Sequence, residues 1–244
     1  RKPLFSNETS TRQDPHMELS EDTLDSASTF ISLHEMKPGV ILFDQCDPCD
    51  LRQGAIGDCW LIAAIATACE YPEFVQGLFT EEGDNKYTLR LFSYAKEDYV
   101  TLTLDDRVPY QGPYYDVVAK YVHLSHSGEC WPCILEKGFA TLAGCYAEII
   151  GGSPCHAFGM LTGCLDLECI LRGEAGWRPT RYSSSFDSPG GQPKHLKWSG
   201  DPMNVQTLAA KLTEYADAGY LMCCGSNGHE DGDSHISAGG IVSG

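Results

Sequence analysis

Basic residues are scarce in this sequence. Its 244 residues include 17 Lys and Arg against 34 Asp and Glu, which gives a formal net charge of −17 at pH 7. Proteins that bind nucleic acids or anionic lipid surfaces use basic patches to neutralise phosphate groups. The charge balance therefore argues against a nucleic-acid partner and against an electrostatic hold on a membrane.

Long apolar runs are also missing. The longest lies around Trp60 to Ala66 and is far shorter than the ~20 residues of a membrane-spanning helix. Residues 1–20 are too polar to form a secretory signal peptide, and there is no internal repeat. With no signal for secretion or membrane insertion, we expect a cytoplasmic protein whose twelve cysteines are reduced thiols.

Apolar residues make up 42% of the chain, which is enough to bury a sizeable core. Residues 1–29 are instead rich in Ser, Thr, Asp and Glu, and we expect them to be a polar, disordered lead-in. The chain begins with Arg1 and ends at Gly244 within an apolar phrase, GGIVSG. These ends predict a fragment of a longer protein.

Hydrophobic patterning predicts a mixture of helices and strands beyond residue 30. The uniformly apolar run from Cys59 to Cys69 predicts a buried helix. A second, amphipathic helix is predicted from Cys130 to Leu142, with Ile134, Leu135 and Phe139 on one face. The remaining predictions are strands at 87–92, 99–104 and 117–124, an exposed loop over 180–198, a helix over 205–216 and a buried strand over 220–224.

The most informative segment is residues 53–64, QGAIGDCWLIAA. Its two glycines predict a tight loop that delivers Cys59 to the first turn of the buried helix, where the helix dipole favours the thiolate. Gln53 can aim its side-chain amide at the same point and form an oxyanion hole with the backbone N–H of Cys59. A free cysteine is more often a small buried residue, but the Gln and Gly pattern favours a nucleophile.

The same segment resembles the nucleophile motif of the calpain family of papain-like cysteine proteases. Other segments resemble further family motifs in the same order: LDDRVP at 104–109, ECWPCILEKGFA at 129–140, the Gly and Tyr residues of 144–152, and FGMLTG at 158–163. The resemblance covers residues 40–244. It implies an α+β, papain-like protease core with a helical, Cys-bearing first lobe at 30–163 and an incomplete, β-rich second lobe at 164–244.

The resemblance also implies a catalytic His and Asn in the second lobe. The strand that leads to the family's His matches residues 240–244, so we expect this His to follow Gly244 and the chain by itself to be inactive. Two other histidines are weaker candidates. His195 has a suitable spacing from Cys59 but lies in a turn-rich segment typical of a surface loop, and His156 mimics the family's Gly-His-Ala-Tyr too early in the chain.

A calcium site is a further implication of the resemblance. By position, Asp50 and Glu129 supply its carboxylates, and the backbone carbonyls of Phe43 and Gln45 complete it. Oxygen ligands of this kind suit a hard cation.

Two Cys-x-x-Cys pairs offer a competing metal hypothesis. Each pair alone is typical of a zinc knuckle or a redox dithiol. Roughly eighty residues separate them, which is far more than in an ordinary zinc ribbon, although both border the segments of the implied calcium site. A four-cysteine zinc site is therefore an alternative, with the ligands Cys46, Cys49, Cys130 and Cys133.

The sequence thus predicts a calcium-regulated, cytoplasmic cysteine endopeptidase that performs limited proteolysis of protein substrates, with further domains elsewhere in the parent chain. The family binds the substrate backbone through a Gly-Gly pair, and Cys164 replaces the second Gly, so the cleft departs from the family there. Two alternatives stay open. One is a non-catalytic, calpain-like interaction module, and the other is a metal or redox protein that uses the Cys-x-x-Cys pairs.

Overall fold

The structure is a computed structural model, and it describes residues 11–13, 30–111, 118–119, 121–182, 197–198 and 200–225. His195 and the segment 240–244 lie outside the described residues, as does most of the lead-in at 1–29.

Helices and strands are interspersed along the described chain, which confirms the α+β prediction. The helices are α1 (Leu33–Met36), α2 (Cys59–Ala68), α3 (Pro72–Gln76), α4 (Trp131–Ala143), α5 (Pro154–Thr162) and α6 (Val205–Asp217), with 3-10 turns at Pro48–Asp50 and Tyr146–Ile149. The strands are β1 (Thr11–Gln13), β2 (Phe30–Ser32), β3 (Phe79–Gly83), β4 (Lys86–Ser93), β5 (Asp98–Asp105), β6 (Arg107–Gln111), β7 (Val118–Ala119), β8 (Leu167–Gly173), β9 (Gly176–Tyr182) and β10 (Lys197–Trp198).

The described strands form three small sheets. Strands β3, β4 and β5 are antiparallel, and β1 from the lead-in runs parallel to β5 at its edge. A second sheet has the order β2-β6-β7, and a third has the order β10-β9-β8. Both are antiparallel. The predicted strand at 117–124 shrinks to Val118–Ala119.

Strands β4 and β5 form where the sequence predicts them, because apolar and polar residues alternate along both. Alternate side chains point inward, and facing residues of the two strands pair as Tyr87 with Leu104, Leu89 with Leu102 and Leu91 with Val100. All six are buried. This apolar face packs against α4, where Gly138 leaves space for the side chain of Leu89.

Helix α4 is buried on every side, so the prediction of an amphipathic helix is wrong in one respect. Its bounds agree with the prediction, but the charged residues Glu136 and Lys137 are as buried as the apolar ones. A charge can be buried in this way only when it is paired or hydrogen-bonded. Both residues therefore need partners inside the fold.

The partner of Lys137 is Asp105 at the end of β5. The Lys137 ammonium donates to the carboxylate Oδ1 at 2.6 Å and to the backbone carbonyl of Asp105 at 3.1 Å. Arg107 reaches the other carboxylate oxygen from solvent. Burial alone would raise the pKa of Asp105, but the bonds from Lys137 and Arg107 outweigh it and lower the pKa. This ion pair fastens α4 to the β-sheet.

The C-terminal described segment agrees with the prediction in one element and departs from it in the other. Helix α6 matches the predicted helix over 205–216 to within one residue, and it begins after Asn204, whose side chain accepts from the Thr207 N–H at 2.8 Å. The predicted strand over 220–224 is wrong, because this stretch has no strand pairing. Leu221 and Cys223 pack on the core instead, and the backbone carbonyl of Met222 accepts from Thr67 of α2 at 3.4 Å.

No helix in the described ranges has both the length and the apolar character needed to cross a bilayer.

The two cations on Asp105 allow a matched test of this ion pair. Lys137→Met removes a cation that is 4% exposed and leaves the carboxylate short of a partner, so we expect the free energy of unfolding to fall by about 2 kcal/mol. Arg107→Met removes a cation that is 53% exposed and should cost less than about 1 kcal/mol. Urea unfolding of both variants measures the difference, and equal losses would contradict the assignment.

Candidate active site

Cys59 is the first residue of α2, and its side chain is exposed. The next residue, Trp60, is buried and donates its indole N–H to the backbone carbonyl of Ile149 at 3.0 Å. Just before the helix, the carbonyl of Gly57 accepts from the Gly151 N–H at 2.8 Å. These anchors fix the start of α2 against segment 149–151 and leave the Cys59 thiol facing outward, in the field of the helix N-terminus.

Gln53 lies in the exposed loop that leads into α2. Its side-chain amide donates to the backbone carbonyl of Ile56 at 2.8 Å, which braces the loop, and its side chain also lies near the carboxyl group of Asp58. An amide NH2 group carries two hydrogens, and the bond to Ile56 uses one of them. The oxyanion role of Gln53 stays a prediction.

Asp58 is the N-cap residue of α2, but its side chain does not cap the helix. Its backbone carbonyl accepts from the N–H groups of Leu61 and Ile62 at 2.8 and 3.1 Å. The carboxyl group is fully buried, and neither of its oxygens makes a hydrogen bond of good geometry within the described residues. Burial of a polar group without a hydrogen bond costs free energy. We therefore expect a neighbouring group to offset this cost.

The group that balances Asp58 is Glu136 of α4, which the sequence reasoning missed. Burial raises the pKa of Glu136 well above its ordinary value, and the neighbouring charge of Asp58 raises it further. Burial also raises the pKa of Asp58, to about 6, against the opposing effect of the nearby Glu136 and Gln53 side chains. Two carboxyl groups in one dry site do not both ionise readily, so the pair retains a proton near neutral pH.

Glu136 is also held in place by the segment that precedes α4. The backbone N–H of Val122 donates to its carboxyl oxygens at 3.1 and 3.2 Å. The signal for this pair in the sequence is that Glu136 and Lys137 interrupt an otherwise largely apolar helix.

His156 is a core residue of α5. Its ring lies 4.8 Å from the ring centre of Tyr94 and 5.9 Å from that of Trp60, and its Nδ1 is 3.4 Å from the Tyr182 hydroxyl. The side chain is fully buried behind α2. These contacts agree with its rejection as the catalytic His, whereas the position expected to follow Gly244 lies outside the described residues.

Glu129, the first implied calcium ligand, lies just before α4 and is buried among four hydrogen-bond donors. One carboxylate oxygen accepts from the N–H groups of Asp44 and Gln45 at 2.6 and 3.2 Å. The other accepts from the hydroxyls of Ser127 and Ser125 at 2.7 and 3.2 Å. Burial alone would raise the pKa of Glu129, but these bonds outweigh it and lower the pKa. The carboxylate is therefore charged and well fixed.

Asp50, the second implied ligand, faces Glu129 from the 3-10 turn at Pro48–Asp50. Its Oδ2 accepts from the Asp47 N–H at 2.8 Å. Burial raises the pKa of Asp50, and the neighbouring carboxylate of Glu129 adds to the shift. A hard cation relieves this kind of repulsion, so the donor set fits calcium. Within the described ranges, no group of three or more His, Cys, Asp and Glu residues is placed to hold a metal.

The four cysteines of the zinc hypothesis do not converge. Cys46 is buried with its sulfur 3.7 Å from that of Cys69, whereas Cys49 is exposed. In α4 and just before it, the sulfur of Cys130 approaches the Tyr87 hydroxyl at 3.6 Å, and that of Cys133 approaches the Val122 carbonyl at 3.1 Å. The structure thus gives the thiols separate surroundings and does not support a shared zinc ion.

Cys164 lies in the turn that follows α5 and is exposed. Gly163 before it has a left-handed backbone, with φ of +67°, and the N–H of Cys164 donates to the Thr162 hydroxyl at 3.1 Å. The side chain of Cys164 therefore stands at the surface next to Gly163.

The buried carboxyl pair predicts an unusual pH dependence of stability. Because the pKa of Asp58 is raised from 3.8 to about 6 in the fold, the folded state keeps a proton that the unfolded state releases. The free energy of unfolding should therefore fall as the pH rises from about 4 to about 6. Asp58→Asn has no proton to release, so wild type should lose on the order of 2 kcal/mol relative to this variant across that window.

Urea unfolding between pH 4 and 7 provides the measurement. The matched control is Asp166→Asn, which removes a carboxyl group that is 75% exposed. The control should lose stability with rising pH as wild type does, and a loss as large in Asp58→Asn as in wild type would contradict the buried pair.

The comparisons with known proteins show the family to which the chain is similar. The family model of calpain family cysteine proteases matches residues 27–244. The chain is 34% identical to a calpain of Schistosoma mansoni over 143 residues, which cover 55% of this chain and 19% of the relative. It is 33% identical to Calpain-A of Drosophila melanogaster over 120 residues, which cover 47% and 14%. It is 28% identical to a calpain-type cysteine protease of Zea mays over 223 residues, which cover 86% and 9%.

The chain spans less than a fifth of the length of these curated relatives. The family model nevertheless covers most of the chain, including the QGAIGDCW segment and every motif from 104 to 163. The chain therefore belongs to the calpain family of cysteine proteases.

Proposed function

We propose that this chain supplies the nucleophile of a calpain-type cysteine endopeptidase, which performs limited proteolysis of proteins in the cytoplasm. The observation that carries the proposal is the placement of Cys59, exposed at the first turn of α2 between two buried residues, Asp58 and Trp60. A nucleophile must be accessible to substrate and held in a fixed position, and this arrangement meets both requirements.

In the proposed reaction, the thiolate of Cys59 attacks the carbonyl carbon of the scissile peptide bond. The backbone N–H of Cys59 and the second amide hydrogen of Gln53 stabilise the oxyanion of the tetrahedral intermediate. The catalytic His, expected to follow Gly244, protonates the leaving amine and later activates the water that releases the acyl group. The chain thus holds the nucleophile and the oxyanion donors, and its partner base lies elsewhere.

We place the lobe boundary at the turn between α5 and β8. Helix α5 ends at Gly163, and the three-stranded sheet of β8, β9 and β10 begins shortly after it. In this division the first lobe, 30–163, carries Cys59 and Gln53, and the second lobe begins at residue 164. Cys164 then stands at the junction where an extended protein substrate would lie.

The calcium part of the proposal assigns Asp50 and Glu129 as carboxylate ligands, with the backbone carbonyls of Phe43 and Gln45. A bound calcium ion would neutralise the two facing carboxylates. The residues themselves already fix the loop, since the N–H groups of Asp44 and Gln45 hold Glu129. Because this loop leads directly to Gln53, its order bears on the oxyanion donor.

Loss of the nucleophile tests the enzymatic proposal. In the full-length protein, Cys59→Ser should reduce kcat/KM for a protein substrate by at least about 1,000-fold, since the residual rate then depends on binding and oxyanion contacts alone. The matched control is Cys224→Ser, which alters another exposed cysteine far from the nucleophile in the sequence and should keep wild-type activity. Wild-type protein without activity in the presence of calcium would favour a non-catalytic interaction module instead.

Removal of one carboxylate charge tests the calcium assignment. Asp50→Asn keeps an oxygen for the Asp47 N–H but removes a ligand charge, so we expect calcium affinity to fall at least about tenfold, which is about 1.4 kcal/mol. Isothermal titration of the chain with calcium gives the dissociation constant. The control, Asp98→Asn, removes an exposed carboxylate at the start of β5. Equal affinities for wild type and Asp50→Asn would refute the site.

A further inference from the structure

Two buried thiols lie side by side in a place that the proposed protease reaction does not use. Cys46 and Cys69 are 2% and 3% exposed, and their sulfur atoms are 3.7 Å apart. Cys46 belongs to the loop between Phe43 and Gln53, and Cys69 closes the C-terminal end of α2, where its N–H donates to the Ile65 carbonyl. The pair therefore joins the loop that precedes the active site to the helix of the nucleophile.

The partner of Cys46 is thus Cys69 and not Cys49 of its own Cys-x-x-Cys motif. The 3-10 turn at Pro48–Asp50 explains this choice. The Asp47 side chain accepts from the Cys49 N–H at 2.7 Å and starts the turn, which leaves Cys49 exposed while Cys46 points into the core. The sequence motif and the spatial pair are different pairs of thiols.

The conformation of Cys46 is imposed by its neighbours. Its φ is +64°, in the left-handed region that is costly for a residue other than glycine. The preceding N–H groups of Asp44 and Gln45 are bound to Glu129, and Asp47 is committed to the following turn. Contacts on both sides therefore direct the Cys46 thiol toward Cys69.

We propose that Cys46 and Cys69 are a dithiol site that peroxide oxidises to a reversible intramolecular disulfide. A disulfide has an S–S length of about 2.0 Å, so sulfurs at 3.7 Å reach bonding distance by a small shift of the loop. Residues on either side, Gln45, Asp47 and Glu70, are exposed. Both thiols are buried but directly adjoin these surface residues in the sequence, so the oxidant we propose is a small neutral one.

The oxidation balances with hydrogen peroxide as the only co-reactant. One thiolate attacks a peroxide oxygen, the O–O bond breaks, and the products are a sulfenic acid and hydroxide, which takes up the proton lost from the thiol to give water. The second thiol then attacks the sulfenic sulfur, which forms the S–S bond and releases a second water. Both sulfurs are oxidised and one peroxide is reduced. A dithiol reductant reverses the reaction.

The bond would close a ring of residues 46–69, which contains both Gln53 and Cys59. The loop at one end of this ring could then no longer move away from α2. A cross-link of this kind restricts the unfolded chain and stabilises the fold. The site goes beyond the proposed protease function, and its formation does not depend on that function.

Disulfide mapping on the complete 244-residue chain tests the proposal. A Cys59→Ser background removes the exposed nucleophile, and a stoichiometric dose of hydrogen peroxide is followed by alkylation of the remaining thiols and peptide mass spectrometry. We expect a linked pair of peptides that contain Cys46 and Cys69 and have lost two hydrogens, its disappearance after dithiothreitol, and a higher urea midpoint for the oxidised chain.

Two variants complete the design. Cys69→Ser should abolish the linked peptide and the shift in urea midpoint, whereas Cys133→Ser, which alters a buried thiol bonded to the Val122 carbonyl, should leave both unchanged. Absence of any linked peptide, or a link of Cys46 to Cys49, would overturn the proposal. The mapping uses wild-type residues at both positions, so it decides between these outcomes even if Cys69→Ser fails to fold.

Discussion

The complete burial of helix α4 is the constraint on which the rest of the described structure depends. Its two adjacent charged residues cannot reach water, so each requires a partner supplied by another element. Lys137 finds Asp105 at the end of β5, and Glu136 finds the Val122 N–H and the carboxyl group of Asp58. The first partner fixes α4 to the β-sheet, and the second fixes it to the start of α2. The start of α2, which carries Cys59, is therefore held in position by contacts within the core.

This arrangement explains how a mostly apolar helix presents one reactive side chain to solvent. Asp58 and Trp60 flank Cys59 and are both buried, one against Glu136 and the other on the Ile149 carbonyl. With a residue anchored on each side, the thiol between them has little freedom to turn inward. Catalytic groups need this rigidity, because a nucleophile that moves out of the reactive geometry loses most of the rate enhancement that comes from proximity to the substrate. The burial of the Asp58 carboxyl group, whose oxygens make no hydrogen bond of good geometry within the described part of the chain, is the energetic cost of the arrangement.

Local patterns in the sequence were sufficient to predict α2, the bounds of α4 and the strands β4 and β5, since each depends on the spacing of apolar residues along one segment. They could not predict that Glu136 is buried, because a charged residue in a helix ordinarily marks its solvent face. They also failed at 220–224, where an apolar run packs on α2 without pairing as a strand. The Cys-x-x-Cys motifs misled for a related reason. Cys46 lies before the 3-10 turn and is buried, whereas Cys49 within the turn is exposed. The true neighbour of Cys46 is the distant Cys69.

The loop between Phe43 and Gln53 and helix α2 behave as one unit because they are joined in two ways. The chain itself connects Asp50 to Gln53 and Cys59, and the contact of Cys46 with Cys69 connects the same loop to the far end of the helix. Glu129 holds the loop at Asp44 and Gln45, while the Trp60 indole holds the helix at Ile149. A change in charge at Glu129 or in bonding at Cys46 therefore acts on the segment from Cys46 to Cys69. That segment contains both the proposed nucleophile, Cys59, and the residue assigned to its oxyanion hole, Gln53.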